Sequence, residues 1–226
     1  MTTSSERNLA HPGLKGRERE MAGLADVVRR LIELTVVNHA PADVTASVVT
    51  DLCAAADRLA GHIPDKPLPR FVRPDQRDKP RLNLSADAMH DAMPYDVVIG
   101  RFNPLALPVT IEIDPPRAIG RARFGTAYEG GPGWVHGAVI AGVFDIVLSA
   151  ANRIEDAGGP TTHLSIRYRR PTLVDCDTVF EAWVDHLVGR RVVSHGRVLQ
   201  DGIVTAEAEG RFANIDPESV PIRRRP

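Results

Sequence analysis

The sequence has few of the features that mark several common protein classes. It has only two cysteines, Cys53 and Cys176, which lie far apart and show no Cys-x-x-Cys or Cys/His spacing. This usage is typical of a reducing compartment and argues against a disulfide framework or a structural zinc site. We therefore expect a cytoplasmic protein without a metal site.

Charge of one sign and long apolar runs are also lacking. Lys and Arg number 28 and Asp and Glu number 29, so the net charge is −1. No strong overall field points to nucleic acid or to an anionic membrane as a partner. The first twenty residues are polar and charged, and no run of about 18 apolar residues occurs. We expect no signal peptide and no membrane span.

What is present suits one large domain, or one domain with an extension, at 226 residues and 43% apolar content. Residues 1–16 are polar without periodicity and are predicted to be a disordered tail. Residues 17–60 show two runs of helical periodicity and predict a helical hairpin extension. The apolar stripe of the second helix is expected to be buried against the body of the protein; it consists of Val44, Val48, Leu52, Ala55 and Leu59.

Three further segments complete the predicted organisation. Residues 61–95 are rich in proline and charge and predict a linker or an extended surface segment. Residues 96–216 form the predicted main folded domain. Residues 217–226 form a basic tail, whose arginines are expected to be solvated.

Residues 96–216 predict two strands, one long helix over 136–157, and then four strands joined by hairpins. The strands are expected near residues 107–113, 118–127, 161–169, 178–187, 192–199 and 203–215. A helix inserted into an antiparallel sheet indicates an α+β fold with the sheet wrapped around the helix.

The predicted helix carries Asp145 in otherwise apolar or small-residue surroundings. Charged side chains are rarely buried without a partner, so this carboxylate needs a structural partner or a chemical role. A loop of turn formers, Glu129–Gly133, precedes the helix. The first turn of a helix offers unpaired N–H groups and the positive end of the helix dipole. Gly137, which has no side chain, allows a carbonyl oxygen to approach its N–H closely.

Three motifs occur in order within residues 126–216. The first is YEGGPGWVHG from Tyr128 to Gly137, with Asp145 nine residues after His136. The second is TTHLSIRYRRP from Thr161 to Pro171, and the third is the hairpin that contains Gly189-Arg-Arg191 and Asp201-Gly202. Together they resemble the hotdog-fold acyl-CoA thioesterases, in particular the phenylacetate-pathway type and the mitochondrial thioesterase-superfamily members. The resemblance covers about half of the chain, and Ala138 departs from the family's usual second glycine.

The resemblance implies a hotdog fold and hydrolysis of an acyl-CoA thioester to free acid and CoA, which places the chain in lipid metabolism. Coenzyme A enters as part of the substrate, and no other cofactor is implied. Gly137 is expected to supply the oxyanion donor, and Asp145 to act as nucleophile or as general base on water. Thr161 matches the family threonine that positions the water or the carboxylate, or it is a plain strand residue. His136 is either an acid–base group or a structural residue that fixes the loop.

Gly137 and Asp145 lie eight residues apart, which is about 12 Å along one helix. That is too far for both to act on one carbonyl, and the family resolves this with a dimer in which the helix start of one subunit faces the acid of the other. We therefore expect a homodimer with two composite sites; a dimer of dimers stays open.

The substrate-binding residues are less defined by the sequence. Trp134 and Phe144 are core residues or walls of an acyl pocket, and Ala138 lies beside the oxyanion donor. Four arginines are either solvated or bind CoA phosphates: Arg169, Arg170, Arg190 and Arg191. Two other functions remain as alternatives, a hotdog hydratase or dehydratase and a non-catalytic acyl-CoA-binding or regulatory protein.

Overall fold

A computed structural model describes residues 11–66, 89–90 and 93–215. The helices are α1 (Glu18–Val37), α2 (Ala42–Ala60) and α3 (Gly137–Ile154). The strands are β1 (Val109–Asp114), β2 (Arg117–Arg123), β3 (Glu129–Gly131), β4 (Trp134–Val135), β5 (Thr161–Tyr168), β6 (Asp177–Val188), β7 (Arg191–Gln200) and β8 (Ile203–Ala213). Residues 1–10 of the predicted tail, most of the predicted linker and the basic tail 217–226 lie outside the described residues.

Six of the strands form one antiparallel sheet in the order β1-β2-β6-β7-β8-β5. Helix α3 packs against all six strands of this sheet, and its buried side chains form the centre of the core. The prediction of an α+β hotdog fold, with the sheet wrapped around a long helix, is confirmed. The short ribbon β3–β4 just before α3 was not predicted as strand; the sequence there contains turn-forming glycines.

The sheet curves closely onto α3 because three of its strands carry glycine where the helix approaches. These are Gly120, Gly196 and Gly210. A Cβ atom added at Gly120 would lie 2.9 Å from a Val147 methyl group, closer than a side chain tolerates. The aromatic ring of Phe180 packs edge-on against that of Phe144, with 5.5 Å between ring centroids. The strand glycines and the central aromatic residues therefore hold α3 in place.

The N-terminal part of α1 is docked on the domain. Leu14, in a short 3-10 helix before α1, is fully buried and clusters with Ala22 and Phe102. The Arg29 guanidinium donates hydrogen bonds to the carbonyl oxygens of Arg101, at 2.7 Å, and Asn103, at 2.9 Å. The prediction of disorder is therefore wrong for residues 11–16, because Leu14 supplies an apolar anchor that the polar residues around it conceal.

Helix α2 has the length that its periodicity predicts, but it does not bury its stripe. No α2 residue is buried. Val44, Val48 and Leu52 are 43–47% exposed and Leu59 is 53% exposed. The expectation that this stripe packs against the body of the protein is wrong for the single chain. The helix presents its apolar face to solvent.

By length and composition α3 resembles a membrane-crossing helix, with a mean hydropathy of 1.5 over 18 residues. Half of it is buried inside the protein, and it forms the core of the sheet described above. The core helix of a hotdog domain accounts for this apolar run.

Candidate active site

Asp145 lies in the middle of α3 and is partly buried. The hydroxyl of Thr161, the first residue of β5, donates a hydrogen bond to Asp145 Oδ1 at 2.5 Å. The structure thus brings together two of the predicted site residues. A carboxylate held by a hydroxyl at the start of a strand has a fixed orientation, and its second oxygen is left for another proton donor such as water.

The start of α3 is capped by His136. Its ring Nδ1 accepts a hydrogen bond at 3.0 Å from the N–H of Ala138. The Nε2 atom of the ring is not used in this contact. This geometry gives His136 the position of an N-cap, a role usually taken by Ser, Thr, Asp or Asn.

The cap distributes the first N–H groups of α3 unequally. The Ala138 N–H is occupied by His136, and Val139 and Ile140 donate to the His136 carbonyl. For the Gly137 N–H, the described residues provide no acceptor. Gly137 thus keeps an open donor at the positive end of the helix dipole, whereas the Ala138 N–H is not open to a substrate.

Tyr168, at the end of β5, was missed by the sequence analysis. Its hydroxyl donates to the Gly137 carbonyl oxygen at 2.8 Å, and burial raises the pKa of its phenol, which keeps the donor protonated. A Cβ at Gly137 would lie 3.0 Å from this hydroxyl. The available signal was the tyrosine within the family-like strand motif, but only the sheet register shows that it reaches the helix start.

The loop before α3 is held by backbone hydrogen bonds and by one close glycine contact. His136 N–H donates to the Tyr128 carbonyl and Val135 N–H to the Thr172 carbonyl, both at 2.8 Å. A Cβ at Gly130 would lie 2.7 Å from both Cα and Cδ2 of His136. Gly130 therefore lets the ribbon lie directly against the capping histidine.

A surface groove of about 400 Å³ opens beside Gly137. Gly137 and Tyr168 line one part of it, and Trp134, Arg169 and Arg170 line another. The Trp134 side chain is 51% exposed, so it is a groove wall. Phe144, the other candidate for the acyl pocket, is fully buried in the core and is not part of this groove.

The four candidate arginines fall into three situations. Arg169 is committed to an ion pair with Glu207, at 2.6 Å between Nη2 and Oε2. Arg170 lines the groove and has no ion-pair partner in the described part of the chain. Arg190 and Arg191 are exposed at the turn between β6 and β7, away from this groove.

Residues that could hold a metal ion are not clustered. Within residues 11–66, 89–90 and 93–215, no group of three or more His, Cys, Asp or Glu side chains is arranged to bind one. The candidate site therefore consists of a carboxylate, a hydroxyl and backbone donors, which suit water activation and charge stabilisation.

The site residues form two separate halves in one chain. Asp145 and Thr161 make one half, and Gly137 and Tyr168 make the other. Strand β5 joins them, because it begins at Thr161 and ends at Tyr168, and it forms one edge of the sheet.

Residues 132–207 match the sequence model of the thioesterase superfamily. The match covers 76 of the 226 residues of the chain. The matched residues include Gly137, Asp145, Thr161 and Tyr168.

Three known proteins are similar to this chain. Acyl-coenzyme A thioesterase THEM4 of Bos taurus is 26% identical over 155 residues, which are 66% of this chain and 59% of that relative; the match therefore spans less than two thirds of the relative's length. The crystal structure of the thioesterase superfamily protein RHA08564 has a TM-score of 0.70 and 27% identity, covering 85% of this chain and 94% of that one. Zebrafish thioesterase superfamily member 2 has a TM-score of 0.50 and 14% identity, covering 58% and 99%, which is a likeness of fold.

Proposed function

We propose that the protein is an acyl-CoA thioesterase that hydrolyses an acyl-CoA to the free acid and CoA. The observation that carries the proposal is the pair of half-sites at the two ends of β5. One offers an open backbone donor beside a groove, and the other offers an oriented carboxylate. The similarity to the thioesterase THEM4 supports the same reaction.

The Gly137 N–H is the proposed oxyanion donor. Gly137 is the first residue of α3, where the helix dipole favours negative charge, and its N–H has no acceptor among the described residues. The thioester carbonyl oxygen would accept this hydrogen bond, which strengthens as the oxygen becomes negative. Loss of one such donor typically lowers the rate by about 10²–10³.

Asp145 is the proposed acid–base or nucleophilic group. As a base it removes a proton from water, the hydroxide adds to the carbonyl carbon, and the carbon–sulfur bond breaks to release the CoA thiolate, which recovers the proton. As a nucleophile it forms an acyl-aspartyl anhydride with release of the thiolate, and water then hydrolyses the anhydride. The Thr161 hydrogen bond holds the carboxylate in either route.

The two half-sites would meet in a homodimer. They lie eight helical residues apart, about 12 Å along α3, so one chain does not present both to one carbonyl. Edge strand β5 carries no proline or lysine to block pairing. If β5 pairs antiparallel with β5 of a second copy, the Thr161 end of one strand lies beside the Tyr168 end of the other. Each resulting site then combines Asp145 of one copy with Gly137 of the other.

The proposed β5 pairing also predicts which arginines lie at the rim of each composite site. Arg191 is paired with Ala213, next to the Phe212 that pairs with Thr161, so the β6–β7 turn lies at the Asp145 end of the sheet. Each composite site would then have Arg170 from one copy and the Arg190–Arg191 turn from the other at its rim. Guanidinium groups suit the phosphates of CoA.

Thiol release from a panel of acyl-CoAs of different chain length, including an aromatic acyl-CoA, tests the proposal. We expect hydrolysis of at least one member and loss of turnover in Asp145→Asn. Asp201→Asn is the matched control, because Asp201 is a turn residue with φ 50°, where Asn is tolerated. Binding of CoA esters without any thiol release would favour the alternative of a non-catalytic acyl-CoA-binding protein, and activity retained in Asp145→Asn would refute the role of Asp145.

A further inference from the structure

The exposed helix α2 has a feature that the proposed reaction does not use. Four of its apolar residues form a narrow seam with coiled-coil spacing: Val48, Leu52, Ala55 and Leu59 follow one another at steps of four, three and four. Such spacing places all four on one side of a helix and is the pattern by which one helix packs on another. None of them is buried in the single chain. Val44 and Val49 are exposed apolar residues outside this seam.

We propose that α2 docks against α2 of a second copy of this chain, in an antiparallel pair. A helix of 19 residues is about 28 Å long and, without tertiary packing, is marginal in water. A partner that covers the seam would supply that packing. The proposal rests on the β5 dimer proposed above, which brings two copies together, but not on the reaction.

Side-chain size favours the antiparallel register. When the seam is reversed on itself, Leu52 lies opposite Ala55 of the second helix, and Val48 lies opposite Leu59. Each large residue then faces a smaller one. Because the pair is symmetric, each of these two contacts occurs twice, so the interface has four layers of paired side chains. A parallel pair would place Ala55 opposite Ala55 and leave a gap between the helices, which costs packing energy.

Charge complementarity favours the same register. Asp51 and Arg58 both flank the seam on the same side, at the positions just before Leu52 and Leu59. In the antiparallel pair these flanking positions meet, so Asp51 of each helix lies near Arg58 of the other and two ion pairs form. In a parallel pair, Asp51 would instead face Ala56, and no ion pair would form.

The charge of α2 makes a membrane surface a poor occupant of the seam. Its charged side chains are Asp43, Asp51, Asp57 and Arg58, so the helix has a net negative charge. Helices that bind anionic lipid surfaces carry Lys and Arg on their polar face. A second copy, which supplies its own arginine opposite the aspartate, satisfies both the seam and its flanks.

Four layers of paired side chains bury much less surface than a stable interface, which buries about 800 Å² on each partner. The helix pair therefore adds to an existing assembly. Once β5 edges hold two copies, contact between their α2 helices becomes intramolecular and needs little intrinsic affinity. If the α2 helices of separate dimers pair instead, the same seam joins two dimers into a tetramer.

A nitroxide label on Cys53 measures the pairing directly. Cys53 is a free, exposed cysteine near the middle of α2 and outside the seam, and Cys176→Ser leaves it as the single labelling site. Two paired helices are together about 20–24 Å wide, so two labels near their centres must lie within about 30 Å of each other. Pulsed electron resonance on the full chain should show this distance, and sedimentation should report the assembly mass on the same sample.

Matched variants test the seam. Leu52→Glu should abolish the short label distance, whereas Thr50→Glu, on the opposite side of α2, should preserve it. Leu52 is 43% exposed in the single chain, so the variant should still fold, as circular dichroism can verify. A short distance that survives Leu52→Glu would overturn the proposal.

Charge reversal tests the register. Asp51→Arg and Arg58→Asp should each weaken pairing by about 2–5-fold for each affected ion pair, and the double variant should restore it. Weakening by both single variants without recovery in the double variant would overturn the antiparallel arrangement.

The assembly mass and the label distance, measured on the same sample, distinguish failure of this inference from failure of the proposed function. A β5 dimer that lacks the short label distance overturns the α2 pairing and leaves the composite site intact. A monomer with full thioesterase activity overturns both the composite site and the pairing.

Discussion

Gly130→Ala tests whether the loop before α3 positions the oxyanion donor. A Cβ at residue 130 would lie 2.7 Å from His136 Cα and Cδ2 and 2.9 Å from its Cβ. Because one of these is a backbone atom, a flexible side chain cannot move away to make room. His136 must shift, and the hydrogen bond that it accepts from the Ala138 N–H is strained or lost.

Gly130→Ala is expected to affect both the stability of the protein and the rate of the reaction. Loss of a helix N-cap costs about 0.5–2 kcal/mol of stability. Displacement of the Gly137 N–H from the substrate oxygen lowers kcat by up to about 10²–10³, the full effect of an oxyanion donor. We therefore expect a modest decrease in the urea midpoint of Gly130→Ala and a much larger relative decrease in kcat.

Gly131→Ala is the matched control for this variant. The added Cβ would meet only the Trp134 ring, at 3.6 Å, an ordinary van der Waals distance. Urea unfolding followed by circular dichroism gives the stability, and thiol release gives kcat for both variants. The reasoning is refuted if Gly130→Ala turns over like Gly131→Ala, because the close contact would then not control the helix start.

Three further predictions concern single groups of the site. His136→Asn should keep most of the activity because Asn is also a good N-cap, whereas His136→Ala should lose it; loss in both, measured by kcat, would instead indicate an acid–base role. Thr161→Ser should retain turnover and Thr161→Val should decrease it, because only serine can donate to Asp145; equal kcat in the two variants would contradict a positioning role. Tyr168→Phe removes one hydrogen bond to the Gly137 carbonyl and should lower stability by about 0.5–1.5 kcal/mol, with a decrease in kcat; an unchanged kcat would show that Tyr168 does not fix the donor.

The elements of the main folded domain could be predicted because each has a strong local signal. The α3 helix is a long, mostly apolar run that ends at Ile154, shortly before Gly158 and Gly159. The strands show alternating apolar and polar residues and are bounded by turn-forming residues. The sheet order depends instead on which strands pair across large sequence separations. It places β5 at the edge beside β8, and no local pattern indicates that position.

The N-terminal region shows why periodicity alone does not predict burial. The helical stripes of α1 and α2 are similar in kind, but only α1 is docked on the domain. Its contacts include Arg29 on three carbonyl groups and the buried Leu14, neither of which belongs to the apolar stripe. A stripe predicts that a helix has a partner, but it does not identify that partner.

At the site, the sequence predicted residue types and the structure assigned their connections. Asp145, Thr161 and Gly137 were expected from the motifs, and the observed hydrogen bonds join Asp145 to Thr161. Two features depended on tertiary geometry: His136 occupies the Ala138 N–H, and Tyr168 holds the Gly137 carbonyl. The first contact occupies the Ala138 N–H and leaves the Gly137 N–H as the open donor that the motif predicts, and the second fixes the Gly137 peptide through its carbonyl oxygen.

Strand β5 is therefore the element on which the proposed composite site depends. It contacts Asp145 through Thr161 at its first residue and Gly137 through Tyr168 at its last. A shift of one residue in β5 pairing would turn both side chains to the opposite face of the sheet and uncouple both halves at once. In the proposed dimer, the register of β5 against β8 and of β5 against the second copy would together set the distance between Asp145 of one copy and the Gly137 N–H of the other.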